Sequence, residues 1–227
     1  MNGSHSAITA EGDNKVLMQK VVKDILSDVR KKRHDNVKFS QKDFKAMKEL
    51  TSLSGNLEAL RDLIYMREGV EIKSMIDTLK KQVIEKEKKF FNVWMSDVND
   101  EIQSLAESFG ERYFLQNAWK AYEYLGSSHN TGTRTLLAQI LRMHMVDYLR
   151  DNISFYIVND LISKEAAKEL VDSFDQVVKD FAPYMNDCLH ALNLPLVPQM
   201  HAEMSKDKYW QWAGGVGKDQ PKLFEFT

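Results

Sequence analysis

The chain has 227 residues, 43% apolar and 28% charged, the composition of a folded globular protein with room for one large domain or two small ones. Its 31 basic and 33 acidic residues leave a formal net charge of −2, which argues against a general nucleic-acid binder, since such proteins carry a basic excess. The single cysteine, Cys188, excludes an intrachain disulfide, and no apolar run approaches the roughly 18 residues of a membrane span.

No proline precedes Pro183, and helix interiors exclude proline at a cost of about 3 kcal/mol. Together with 3.6-residue apolar periodicity, this predicts an all-α chain, an antiparallel helical bundle with short loops. The first helix is expected from Asn14 to Lys31, with Val16, Leu17, Val21, Ile25 and Val29 facing inward and Asp13 as its cap. A short helix follows at "SQKDFKAMKEL", where Ser40 and Asp43 have capping-box spacing. A long helix after Ser54 carries Leu57, Leu60, Ile64, Met75, Ile76, Leu79 and Val83, and "EKEKK" ends its apolar face as a solvated turn or loop.

Another long helix is expected from Phe90 through Trp94, Val98, Ile102, Leu105, Phe109, Tyr113 and Trp119 to about Leu125, and "GSSHNTGT" at 126–133 reads as a loop. Leu136, Leu137, Ile140, Leu141, Met145, Tyr148 and Leu149 give a fifth helix. Ser163 caps a sixth, with Leu170, Val171, Phe174, Val177, Val178 and Phe181 inward, until Pro183 breaks or restarts it. Cys188, at helical spacing from Phe181, Tyr184, Met185 and Leu192, reads as a small core residue. Beyond Pro195 the sequence loses its periodicity, and "AGGVGKDQP" reads as a flexible tail.

Most chemistry-bearing patterns have a plainer reading. "RKKRH" at 30–34 suits a solvated helix end. Neither Glu-x-x-His nor His-Glu-x-x-His occurs, so the paired motifs of a di-iron bundle or a zinc protease are missing, and His144 reads as structural. The aromatics from Trp94 to Tyr124 have the spacing of core packing. The glycines of "AGGVG" neither follow a strand nor open a helix, so they do not make a phosphate cradle. Glu11 taken alone is a favourable charge beside the positive end of a helix.

The neighbours of Glu11 alter that reading. "TAEGDNKVLMQKVVKDIL" resembles the acyl-CoA oxidase segment Thr-Phe-Glu-Gly-Glu/Asp-Asn followed by Val, two apolar residues and Gln. Glu11, Gly12, Asp13, Asn14, Val16, Leu17, Met18 and Gln19 fit it, while Ala10 stands where an aromatic is usual. "LTSLSGNLEALRDLIYMREG", "VWMSDVNDEIQSLAESFGERYFL" and "LRDNISFYIVNDLISKEAAKELVDSF" are similar to later helices of that family, so the likeness covers most of the chain.

The resemblance implies a flavoenzyme that desaturates fatty acyl-CoA at the α,β carbons in fatty acid β-oxidation and passes the electrons to O2, giving H2O2. It implies Glu11 as the catalytic base and Gly12, Asp13 and Asn14 as contacts to FAD. It divides the chain into residues 1–35, which end a flavin-domain bundle, residues 36–212, a C-terminal helical domain, and residues 213–227, a flexible tail. The family's preceding domains are not in this sequence, so a homodimer or a companion chain bearing flavin domains is implied, and the apolar face of the first helix is expected to be exposed or to engage another chain. A long-chain acyl-CoA dehydrogenase with a C-terminal extension and a non-catalytic helical scaffold descended from the family are the rival readings. Simple dehydrogenases end about one helix after the base, whereas several helices follow Glu11, which favours the oxidase. With no secretory signal and no SKL-type ending in "KLFEFT", the expected compartment is the cytoplasm or the peroxisomal matrix.

Overall fold

The structure, a computed structural model, describes residues 14–35, 38–127 and 131–191, and among them every regular element is a helix. Helix α1, Asn14–Arg30, buries Val22 and Ile25 and leaves Val16 exposed. It ends in a Schellman motif, with Arg33 N–H reaching Asp28 O at 2.8 Å and Lys32 N–H reaching Val29 O at 3.0 Å. Lys32, at φ 57°, stands where glycine is usual, so the stop carries no glycine signal. Helix α2, Gln41–Glu49, has the expected capping box, with Asp43 N–H donating to Ser40 Oγ and Ser40 N–H to Asp43 Oδ2.

Helix α3, Leu57–Leu79, starts from an Asn56 cap and continues as a π-helical stretch, Lys80–Glu85, before the exposed charged turn around Glu87. The next long helix is interrupted near its start. A single α turn, Phe90–Asn92, leads into a π-helical turn, Val93–Asp97, and then α4, Asn99–Ser127. Helix α5, Thr131–Asp151, begins only a few residues later, so most of the predicted 126–133 loop is helical, and residues 128–130 lie outside the described part. Arg134 over the Tyr122 ring at 4.8 Å ties these two helix ends together.

The expected sixth helix is two helices, α7 (Lys164–Asp172) and α8 (Phe174–Phe181), divided at Ser173, whose hydroxyl donates back to Leu170 O. Ahead of them α6, Ile153–Val158, which periodicity did not mark, ends in a second Schellman motif at Asp160, φ 56°. Its apolar closure joins the buried pair Tyr156 and Leu161. From Ala182 a second compact unit begins, with a 3-10 turn at Ala182–Tyr184 and α9, Met185–Ala191. Cys188, expected in the core, is half-buried there.

Two apolar clusters form the core of the first unit. One joins α2, the N-terminal half of α3, the C-terminal half of α4 and α5 to α8, around Leu60, Leu63, Leu115, Met145 and Tyr156. The other joins α1, the C-terminal half of α3, the π turn and the start of α4, around Val22, Met75, Trp94 and Ile102. The first helix thus buries Val22 and Ile25 within its own chain, while Val16 is exposed and Leu26 and Val29 are half-buried beside the end of α3. Ile140, Val171 and Val178, predicted inward, are exposed because each neighbours a buried Leu141, Leu170 or Val177 about 100° away on its helix, and only one of each pair faces the core.

Candidate functional site

The predicted site residues Glu11, Gly12 and Asp13 lie outside the described residues, as does the side chain of Asn14. What the structure does describe is the seating of the helix that follows them. Val22 and Ile25 of α1 bury themselves in the cluster of Ile72, Met75, Val93, Trp94 and Ile102. Lys23 lies 5.5 Å from the Trp94 ring, and Phe90 stacks on the same indole at 5.5 Å. By the transfer value of roughly 1.5–3 kcal/mol per buried aliphatic side chain, these two residues alone hold α1 firmly.

Between the two apolar clusters runs a buried ionic seam. On α3, Arg67, Glu68 and Glu71 are buried, and on α4 so are Ser108 and Arg112. Arg67 donates through Nε to Glu71 Oε1 at 2.9 Å, through Nη1 to Tyr148 Oη at 2.9 Å and through Nη2 to Ser104 Oγ at 3.0 Å. Glu71 also accepts from Ser104 Oγ at 2.7 Å and from Ser108 Oγ. Arg112 donates through Nε to Glu68 Oε2 and through Nη1 to Gln116 Oε1 at 2.8 Å, while its Nη2 is 3.4 Å from Asp35 Oδ1. The remaining oxygen of Glu68 meets His34 Nε2 at 2.9 Å.

Each buried carboxylate thus has a guanidinium of its own, the arrangement that offsets the cost of removing both from water. Burial pulls the Arg67 guanidinium down, but Glu71 more than compensates and raises it above its ordinary value, so it stays charged. Burial drives the Tyr148 and Tyr156 hydroxyls up, so both stay neutral; Tyr148 Oη accepts from Arg67, and the buried Tyr156 Oη has no hydrogen-bond partner among the described residues. The seam is electrically closed, and its work is to hold positions: through His34 and Asp35 it grips the connector that leaves α1. Tyr113, predicted inward, is exposed because Ser108 and Arg112 occupy the inward positions of α4.

His34, expected at a solvated helix end, is part of the seam. Periodicity marks neither Arg67, Glu68 and Glu71 nor Ser104, Ser108 and Arg112. Their signal was present, since Glu68, Glu71, Ser108 and Arg112 sit three or four positions from Ile64, Met75, Leu105 and Leu115, on the stripe that the apolar residues define. His144 lies half-buried with Nε2 2.5 Å from Glu111 Oε1 and its ring edge-on to Phe114. Among the described residues no group of three His, Cys, Asp or Glu side chains is placed to hold a metal ion, and no helix is long and apolar enough to cross a membrane.

Three cavities adjoin α1 and its exit. An apolar groove of about 370 Å³ runs between α1 and the end of α3, bordered by Leu26, Val29, Ile76, Leu79 and Val83. A second, of about 430 Å³, holds Asp28, Arg33, His34, Asp35 and Phe109 in its wall. The third and largest, about 900 Å³, lies on the other side of His34, between the connector, α2 and α3.

The family model described as acyl-CoA oxidase matches residues 56–185, from the cap of α3 to the start of α9. Neither the comparison with curated proteins nor that with solved structures gives a match. The matched span is more than half of the chain and contains both sides of the ionic seam, and with the all-helical fold it places this chain in the acyl-CoA oxidase family.

Proposed function

We propose that the chain serves an FAD-dependent acyl-CoA oxidase that desaturates fatty acyl-CoA at the α,β carbons, with Glu11 as the base. The observation that carries this reading is the family match over residues 56–185, joined to a motif that stands directly ahead of a helix seated in the same unit by Val22 and Ile25. The charge of the described residues beside the motif fits an anionic cofactor or thioester carrier. The first turn of α1 has no acidic residue, and Lys15 is exposed with no ion-pair partner among the described residues. Gly12, Asp13 and Asn14 are the residues that would touch FAD.

When bound, the flavin supplies the acceptor for the substrate's β-hydride and the route by which the electron pair reaches O2. The work of this chain is to take the proton. Glu11 removes it from the α carbon, an acid so weak that the carboxylate needs a dry setting and the thioester oxygen needs donors. Gly12, with no Cβ, lets the backbone come close to the reacting carbons. Asp13, expected from the sequence as the cap of α1, would fix the direction from which Glu11 approaches. The reading calls for a homodimer or a companion chain that carries flavin domains, working in the cytoplasm or the peroxisomal matrix.

The test uses the enzyme purified from its source with the chains that accompany it. Dodecanoyl-CoA should bleach the flavin absorbance and release H2O2. Glu11→Gln should still bind the thioester while turnover falls by about 10²–10⁴-fold, and exchange of the α-hydrogen with solvent should disappear with it. Normal turnover in Glu11→Gln would overturn the assignment of the base, and bleaching without H2O2 would make the enzyme a dehydrogenase.

A further inference from the structure

The cavity of about 900 Å³ between the connector, α2 and α3 has a composition that neither packing nor the proposed base explains. Five lysines line it: Lys32 and Lys38 from the connector, Lys45 and Lys48 from α2, and Lys73 from α3. Lys48 is paired with Asp160 at 2.5 Å, and Lys45 reaches Glu49 at 3.8 Å. Lys32, Lys38 and Lys73 are exposed and have no ion-pair partner among the described residues. Among the described residues in the wall, Asp160 is the single carboxylate. Ammonium groups gathered around one concavity repel one another and raise its potential, so the cavity favours an anion before any contact is made.

The floor has the opposite character. Met66 and Leu161 are buried there, Val70 is half-buried, and Phe39 and Phe44 meet edge to face with ring centroids 6.4 Å apart. A phosphate or a nucleic-acid backbone would use the lysines and leave this floor wet. A hydrocarbon would use the floor and leave the lysines unneutralised. The volume lies in the upper part of the range of about 300–1,000 Å³ usual for small-molecule sites.

We propose that this cavity binds a single-tailed amphipathic anion, a long-chain carboxylate, with its tail over Met66, Val70 and Phe44 and its head among Lys32, Lys38 and Lys73. The occupant also touches His34, whose imidazole is held by Glu68, so occupancy bears on the connector that leaves α1. The site stands on the described residues alone and does not depend on Glu11 acting as a base.

The full chain is titrated by calorimetry with dodecanoate below its micellar concentration, with dodecyltrimethylammonium, and with inorganic pyrophosphate. Dodecanoate should saturate, and its affinity should fall as salt rises. Lys38→Glu combined with Lys73→Glu should weaken it by about tenfold or more, and so should Val70→Trp, which fills the floor. The lysine pair is exposed and leaves the core untouched, so it decides the matter if Val70→Trp fails to fold. Glu11→Gln should bind dodecanoate as the parent does. Equal affinity in the lysine variant, equal binding of the cationic amphiphile, or pyrophosphate binding as tightly as dodecanoate would each overturn the proposal.

Discussion

His34 Nε2 stands 2.9 Å from Oε1 of Glu68, a carboxylate with none of its side chain exposed. The other oxygen of Glu68 takes the Arg112 guanidinium, which is itself almost wholly buried. One carboxylate therefore joins three pieces of chain: the connector after α1, the middle of α3 and the middle of α4. It does so at the level where one apolar cluster gives way to the other, so register between the long helices and the exit of α1 are set together.

Truncating either side of that pair should leave the other charge buried without its buried counter-charge, with only His34 beside Glu68 or Gln116 and Asp35 beside Arg112. Glu68→Ala and Arg112→Ala are each expected to cost about 3–5 kcal/mol in chemical denaturation. Replacing both with leucine should cost much less than the two single losses combined, because no orphaned charge remains. Strict additivity in this double-mutant cycle would show that the two groups do not act as a pair.

The indoles of Trp94 and Trp119 should behave as core. They are 2% and 7% exposed, and they stand in different clusters, which makes them independent probes. Alanine at either position is expected to cost about 3–5 kcal/mol. Trp119 also donates to Glu123 at 2.9 Å and lies under Arg61 at 4.4 Å, so its removal should release that arginine as well. Glu85→Ala, at the exposed end of the π stretch, should change stability by about 0.5 kcal/mol or less. A Trp119→Ala protein that melts like its parent would move the core to another face of α4.

The apolar half of this architecture was legible in the sequence, and the polar half was not. The first five helices, the Ser40–Asp43 box, the Ser163 cap and the inward tryptophans follow from periodicity and local chemistry, while α6 and the division between α7 and α8 do not. Nor does the helix stop at Asp160, because its left-handed residue is not glycine and only tertiary packing selects it, whereas α1 ends at Arg30, next to the expected Lys31. The seam was missed for a related reason. Counting apolar residues steps over Arg67, Glu68 and Glu71, although a charge standing on the apolar stripe is the mark of a buried pair. The motif around Glu11 was read from likeness alone and lies outside the described residues, so no geometry bears on it.

His144 should make stability fall as the pH rises. Its hydrogen bond to Glu111 raises the imidazole above its usual range; partial burial pulls it back, and the charges of Glu111 and Asp147 add to the rise. A group raised in the folded state contributes fully below the unfolded value of about 6.5 and loses that contribution as pH climbs through the folded value. The stability gap between the parent and Glu111→Gln should therefore be widest near pH 5 and close on the alkaline side. An imidazole resonance of His144 that titrates no higher than a free histidine would remove the basis of this expectation.

Glu169 should act with the opposite sign. Partial burial pushes its carboxyl up, but Leu53 N–H at 2.8 Å, both groups of Ser54 and the Ser52 hydroxyl donate to it and hold it below the usual carboxylate range. These bonds fasten the turn that leads into the Asn56 cap of α3, from a glutamate on α7. A group lowered in the folded state contributes above its unfolded value of about 4.5 and loses that contribution as pH falls through the folded value. Glu169→Gln keeps the shape but turns an amide NH2 toward some of these donors. It should cost about 1–2 kcal/mol at neutral pH and progressively less in acid. Amide exchange at Leu53 and Ser54 should quicken in the variant, because their acceptor is impaired while the apolar contacts of Leu53 remain. Glu165→Gln, exposed on the same helix, should leave both measurements unchanged. If Glu169→Gln matches the parent at every pH and those two amides stay protected, the turn is held by Leu53 in the core and not by the carboxylate.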